Sequence, residues 1–132
     1  MNTENRRSLL AVAPNRGGSL DYVVALEDLI PRGGDDKGTR VGLRYVPDKM
    51  VLRADAYCAY LEALAGAEAG SLEDVAVMIL DDINNEVVAR WVQVTVSLPD
   101  PTDSALEFHG IVLEDRQPKW DNPALLSRLK RF

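Results

Sequence analysis

The chain has few of the side chains from which disulfides and metal sites are built. Among its 132 residues there is one cysteine, Cys58, and one histidine, His109. A lone cysteine cannot form a disulfide within the chain, and zinc sites use three or four nitrogen and sulfur ligands. We therefore expect no intrachain disulfide and no metal. Because disulfide-free chains are typical of reducing compartments, we also expect a cytoplasmic location.

Basic charge and long apolar runs are scarce as well. The formal net charge is −6 and the isoelectric point is about 4.7, whereas a nucleic-acid-binding domain usually presents a basic face. Basic residues gather near the two ends, at Arg6 and Arg7 and again at residues 128–131, where we expect solvated side chains. No apolar run approaches the roughly 20 residues of a membrane-spanning helix, and the start lacks the apolar core of a secretory signal. The composition argues against nucleic acid and membrane as partners.

The length is that of one small domain. Residues 1–18 contain Pro14, Gly17 and Gly18 and show no sustained periodicity, so we predict a flexible N-terminal arm. Residues 19–132 are predicted to form a single domain.

Two periods alternate along this domain. Residues 39–46 and 91–98 alternate apolar with polar side chains, as half-buried strands do. From Leu72 to Val87 the apolar residues instead recur at helical spacing, behind the favourable N-cap Ser71. Taken together, the patterns predict strands at 20–29, 39–46, 91–98 and 105–113 and helices at 53–65, 72–87 and 124–129.

The resulting ββααββ order predicts an α+β fold, an antiparallel sheet with two helices on one face. The helices cover one side of the sheet, which leaves a mixed face and two strand edges to be protected. Closing several such sheets into a barrel through oligomerisation would protect both. We therefore expect a homo-oligomer.

Three segments resemble the 7-cyano-7-deazaguanine nitrile reductases, members of the tunnelling-fold (T-fold) superfamily. Tyr45-Val-Pro-Asp-Lys-Met-Val51 is similar to their strand exit, and Leu72-Glu-Asp-Val-Ala-Val-Met-Ile-Leu-Asp-Asp82 to the start of their helix. Arg90-Trp-Val-Gln-Val94 is similar to the strand that follows. The segments occur in the family's order with nearly gapless spacing. The resemblance implies a T-fold with sites at subunit interfaces and a planar purine- or pterin-like ligand.

The family's chemistry is not retained with this scaffold. Its nucleophilic cysteine falls on Ile30, which has no thiol with which to attack a nitrile. Its histidine before the helix glutamate is Leu72 here, and its turn linked to the reduced nicotinamide cofactor falls on residues 100–103, Asp-Pro-Thr-Asp. We therefore expect no thioimide intermediate, no nitrile reduction and no cofactor.

Glu73 is retained, and in T-fold proteins a glutamate at this place holds the edge of a purine or pterin ring. A carboxylate can accept two hydrogen bonds from adjacent ring N–H and amino groups, and the positive end of a helix stabilises its charge. Acidic residues are common in a first helical turn for the same electrostatic reason, so a purely structural Glu73 is the alternative.

The other candidates each have a functional and a structural interpretation. Glu73, His109, Asp36 and Lys37 are the candidate acid–base residues, since a carboxylate can orient a histidine for proton transfer. Arg32 and Trp91 are candidate ligand contacts besides Glu73. The alternatives are a strand histidine, a solvated loop around residues 32–37 and a Trp91 that anchors the core, while Cys58 is expected to be buried as a small apolar side chain.

These residues lead to two functional hypotheses. The first is a divergent nitrile-reductase-like protein that binds a purine, pterin or similar planar heterocycle through Glu73, and acts as a cyclase, isomerase or hydrolase of a specialised biosynthetic pathway. The second is a catalytically inactive binding or scaffold subunit that partners an active T-fold enzyme.

Overall fold

The computed structural model describes residues 2–30, 38–65, 70–98 and 108–129. The predicted loop at 31–37, with the candidates Arg32, Asp36 and Lys37, lies outside these ranges. Residues 100–103, at the position of the family's cofactor-linked turn, lie outside them as well. In chain order the described residues form α1 (Thr3–Ser8), β1 (Val12–Pro14), β2 (Val24–Ile30), β3 (Thr39–Val46), β4 (Met50–Leu52), α2 (Ala54–Leu64), α3 (Leu72–Val87), β5 (Trp91–Leu98), β6 (His109–Arg116) and α4 (Pro123–Leu126).

The main sheet has the strand order β2-β3-β5-β6, and each neighbouring pair is antiparallel. Alternate side chains of its central strands point to one face and pack with the apolar sides of α2 and α3 in a single core. The predicted α+β class with an antiparallel sheet is confirmed. The largest fully buried side chains of this core include Leu43, Tyr45, Tyr57, Tyr60, Leu61, Ile79 and Ile83.

Helix α3 begins where the sequence predicts, because its first turn is capped from both directions. The Ser71 hydroxyl accepts a hydrogen bond from the backbone N–H of Asp74, and the Asp74 carboxylate accepts one from the N–H of Ser71. This capping box satisfies two N–H groups that have no partner within the helix. The helix ends at Val88, whose φ of 52° is left-handed and stops the helical hydrogen-bond pattern.

The N-terminal segment differs from the predicted flexible arm. Residues 3–8 form α1, and the guanidinium groups of Arg6 and Arg7 bind the fully buried carboxylate of Asp82 in α3. Strand β1 then pairs with β4 in a second, two-stranded sheet. The two arginines are ion-paired because a buried carboxylate is costly without counter-ions, which apolar periodicity does not encode.

Two outer strands are shifted from their predicted bounds. β2 begins at Val24 and not at residue 20. The preceding segment does not pair with β3, because Arg90 binds it through hydrogen bonds to the backbone oxygen of Leu20 and to the Asp21 carboxylate. β6 extends to Arg116 instead of residue 113, because its last residues continue the pairing as far as Trp91. The predicted helix at 124–129 is one short turn at Pro123–Leu126.

The described segments contain no helix with both the length and the apolarity needed to cross a bilayer.

Candidate functional site

The register of β6 turns the His109 side chain toward the helices. β6 pairs with β5 at Leu98–His109, Val96–Ile111 and Val94–Leu113. Ile111 packs against the core beneath α3, and His109 lies two residues before it on the same face of the strand. The imidazole therefore lies on the helix-covered face at the end of the sheet.

Glu73 meets this histidine from the first turn of α3. Its Oε1 atom lies 2.6 Å from Nε2 of His109, across 36 residues of sequence. The capping box at Ser71 fixes where the helix starts and thereby where Glu73 projects. The His109 and Glu73 side chains are 36% and 56% exposed, so the pair remains accessible to a ligand. The structure thus places Glu73 and His109, two candidate residues far apart in the sequence, in direct contact.

The hydrogen bond between Glu73 and His109 favours the ionised form of the carboxylate. The pKa of Glu73 is lowered from its ordinary value, chiefly by the hydrogen bond with His109 and further by its own backbone N–H. In the neutral form of the imidazole, the proton lies on Nε2, and this Nε2–H donates a hydrogen bond to the ionised Glu73 carboxylate. The Nδ1 atom then keeps its lone pair and can accept a proton. The Oε2 atom of Glu73 is a second acceptor at the same site.

The position at which the T-fold resemblance places a nucleophile lies at the same end of the sheet. Ile30 pairs with Thr39, and the β3–β5 register, continued by one residue, sets Thr39 beside Leu98, the partner of His109. Ile30, Leu98 and His109 therefore belong to one row across the helix-covered face. Ile30 is 7% exposed and packs into the core, so this position offers no reactive group.

Trp91, the predicted stacking residue, is 1% exposed. A ring buried to this extent packs within the protein and presents no face on which a heterocycle could stack. The placement matches the alternative of a structural anchor.

Cys58 is exposed, contrary to the expected core position. The buried stripe of α2 contains Tyr57, Tyr60 and Leu61, which turns Cys58 away from the sheet. A hydrogen bond with Asp28 is the main cause that raises the pKa of the thiol, so the reactive thiolate is disfavoured.

Among the residues that the structure describes, no group of three His, Cys, Asp or Glu side chains converges as a metal site requires. The polar side chains on the sheet face opposite α2 and α3 were not predicted as functional. Their only sequence signal is the alternation that sets Arg40, Gly42 and Arg44 opposite the apolar face of β3.

Neither a protein-family model nor a curated protein matches the chain. The T-fold resemblance therefore rests on the three sequence segments and stays a prediction.

Proposed function

We propose that the chain is a divergent T-fold protein, most similar to the nitrile reductases, in which Glu73 and His109 form the binding site for a purine-, pterin- or similar planar heterocycle. The observation that carries this proposal is the 2.6 Å contact between Glu73 Oε1 and His109 Nε2. A planar heterocycle with adjacent N–H and amino groups presents two donors. The Glu73 carboxylate can accept both, because each of its oxygens has two lone pairs and the contact with His109 uses only one of those on Oε1. The match of donors to acceptors supports this ligand class.

The same pair supports an acid–base role. A carboxylate that holds Nε2–H fixes both the tautomer and the ring orientation of His109, which leaves Nδ1 as the proton acceptor. Ring formation, isomerisation and hydrolysis each need such a proton transfer. We include Asp36 and Lys37 as further acid–base residues and Arg32 as a ligand contact, on the basis of the sequence.

Nitrile reduction is not part of the proposal. That reaction begins with a thiolate, and the buried Ile30 occupies the family's cysteine position. Cys58 does not replace it, since it lies on α2 with a raised thiol pKa.

We further propose that the protein is a homo-oligomer whose sites lie at subunit interfaces, in the cytoplasm. β2 and β6 are the outer strands of the described sheet, and they run in opposite directions. The β6 edge of one copy is thus suited to pair antiparallel with the β2 edge of the next, which would continue the sheet toward a barrel. The exposure of Glu73 and His109 leaves room for a neighbouring copy to complete the site.

A scaffold subunit without catalytic activity is the second candidate. It is favoured by Ile30, because an apolar, buried residue at the nucleophile position suits a copy that binds ligand or partner without transforming either.

The experiment is calorimetric titration of the purified protein with guanine, 7-cyano-7-deazaguanine and pterin. We expect saturable binding of at least one heterocycle, and a loss of about tenfold or more in affinity for Glu73→Gln, because the amide loses a charge-assisted bond. Glu62→Gln, an exposed carboxylate of α2, is the matched control and should bind like wild type. Equal affinities for wild type and Glu73→Gln would reject the site.

Catalysis is tested separately with His109→Gln. Retained binding with lost turnover of the identified ligand supports the acid–base role, whereas retained binding without turnover in the wild type supports the scaffold subunit. Reduction of 7-cyano-7-deazaguanine by the wild type with NADPH would overturn the exclusion of the family reaction.

A further inference from the structure

The face of the main sheet opposite α2 and α3 carries a groove of about 380 Å³, within the size range of small-molecule sites. It lies on the other side of the sheet from the Glu73–His109 pair. The strand register places two rows of side chains across this face: Glu27, Gly42, Thr95 and Val112 in one row, and Leu29, Arg40, Ser97 and Gly110 in the next.

Two glycines let neighbouring side chains lie close to the sheet in this groove. A Cβ atom on Gly42 would lie 2.5 Å from Oγ1 of Thr95 and 4.0 Å from Oε2 of Glu27, so the Glu27 carboxylate leans over this glycine. A Cβ on Gly110 would lie 2.7 Å from Cζ of Phe108, so the phenyl ring lies across that position. A larger side chain at either glycine would clash with Thr95 or Phe108 and would displace a side chain that lines the groove.

The two walls of the groove differ in chemistry. On the β2–β3 side Arg40 and Glu27 form an ion pair, with about half of each side chain exposed. On the β6 side Phe108 is 62% exposed and Val112 lies beside it, also exposed. The hydroxyls of Thr95 and Ser97 line the floor between them. The groove thus presents adjacent charges of both signs at one wall and an aromatic ring at the other.

We infer that this groove binds a free aromatic α-amino acid. Its carboxylate would meet Arg40 and its ammonium Glu27, because the adjacent guanidinium and carboxylate complement the two charges of a zwitterion. Its ring would pack against Phe108. Gly42 and Gly110 lie two strand spacings apart, about 10 Å, and two residues apart along the strands, about 7 Å, so about 12 Å separate them. Stacked or edge-to-face rings lie roughly 4.5–7 Å apart, which leaves about 5–7 Å between the centre of the ligand's ring and the ion pair. A ring joined to the α-carbon by a single methylene spans this distance.

The test is titration calorimetry of the full chain with L-tryptophan and L-phenylalanine. 3-Phenylpropionate, which lacks the ammonium, and 2-phenylethylamine, which lacks the carboxylate, are the comparison probes. We expect the amino acids to bind at least about tenfold more tightly than either probe, since each probe can meet only one of the two charged groups of the wall. Equal binding of all four compounds, or no saturable binding of either amino acid, would overturn the inference.

Variants locate the site. Arg40→Met and Glu27→Gln should each weaken amino-acid binding by about tenfold, as expected for loss of a charged partner. Arg53→Met is the control, because Arg53 is a similarly exposed arginine that pairs with Asp55 on α2. Unchanged affinity in both groove variants would refute the assignment.

A second readout does not depend on mutation. In amide NMR spectra of the wild type, the amino acid should shift the resonances of Ser97 and Gly110 more than that of Glu73. The reverse pattern would place the ligand at the Glu73–His109 pair and would overturn the groove.

Discussion

Replacement of Asp82 by asparagine should be among the most damaging single substitutions in the described part of the chain. The carboxylate is fully buried and accepts hydrogen bonds from Nε of Arg6 at 2.5 Å, from Nε of Arg7 at 2.8 Å and from the hydroxyl of Tyr60. It links α1, α2 and α3. An asparagine keeps one carbonyl oxygen but turns its amide N–H₂ toward a guanidinium group, which can only donate, and it leaves both arginines without their counter-ion.

The expected cost follows from the burial of the partners. Removing one member of a buried ion pair typically costs about 3–5 kcal/mol, because the remaining charge is left without compensation. The Arg6 and Arg7 side chains keep 12% and 27% exposure, so water can stabilise part of their charge once α1 detaches. We therefore expect a loss of about 3 kcal/mol in the free energy of unfolding for Asp82→Asn, toward the lower end of that range. For a domain of this size, this corresponds to a decrease in Tm of roughly 10 °C.

Urea unfolding followed by circular dichroism measures this loss, and Asp81→Asn is the matched control. Asp81 is the adjacent residue of α3, but it is exposed. The control should remain within about 0.5 kcal/mol of wild type, as surface substitutions usually do. Limited trypsin digestion provides a second measure, since Asp82→Asn should expose the bonds after Arg6 and Arg7 to faster cleavage. A stability loss below about 1 kcal/mol, the size of an ordinary substitution, would refute the reasoning.

The pH dependence of stability has a definite sign. Burial alone would raise the pKa of Asp82, but the hydrogen bonds from Arg6, Tyr60 and Arg7 outweigh it and hold the pKa below its ordinary value. The stabilisation from Asp82 is therefore fully present above the unfolded-state pKa of about 3.9 and is lost as the pH falls through the lower folded-state value. Wild type should lose this contribution on acidification below about pH 4, and the difference between wild type and Asp82→Asn should shrink there.

Three further substitutions test other parts of the fold. Ser71→Ala removes the hydroxyl that caps the N–H of Asp74 and should cost about 1 kcal/mol in urea unfolding, whereas no change would contradict the capping box. Tyr45→Phe leaves the buried N–H of Leu52 without its acceptor and should cost about 1–3 kcal/mol by the same assay; a neutral result would mean that water replaces the hydroxyl. Cys58→Ser should leave the Tm unchanged, because the side chain is exposed, and a marked decrease would indicate that the thiol packs against the protein.

The sequence predicts the elements of the core well, because their period is set by burial on one face. The stripe from Leu72 to Val87 and the alternation at 91–98 correspond to α3 and β5 as observed. The start of α3 is equally predictable, since a serine N-cap followed three residues later by a carboxylate is a local signal.

Local patterns fail where a distant partner determines the environment. Arg6 and Arg7 have the composition of a solvated terminus, and Asp82 lies within an apolar stripe; only the packed structure brings them within hydrogen-bond distance. Cys58 is misplaced for a related reason. The helical spacing in α2 is compatible with a buried face that includes Cys58 and with one that does not. In the structure, the face packed on the sheet contains Tyr57, Tyr60 and Leu61.

The Glu73–His109 pair depends on a single register, and so does the groove on the opposite face. Leu98 pairs with His109, and side chains along a strand alternate between the two faces of the sheet. His109 therefore points toward α3, and Gly110 lies on the face opposite the helices. A slip of one residue in β6 would exchange these faces, carrying His109 away from Glu73 and placing a glycine beneath the helix. Such a slip is opposed by Ile111 and Leu113, which it would move from the core into solvent, and by the pairing of β6 with β5 along its whole length. Ile111 and Leu113 therefore determine where His109 lies, although neither is adjacent to it in the sequence. Substitutions at Ile111 are thus expected to affect the pair through register, a consequence that the sequence positions of Glu73 and His109 alone do not reveal.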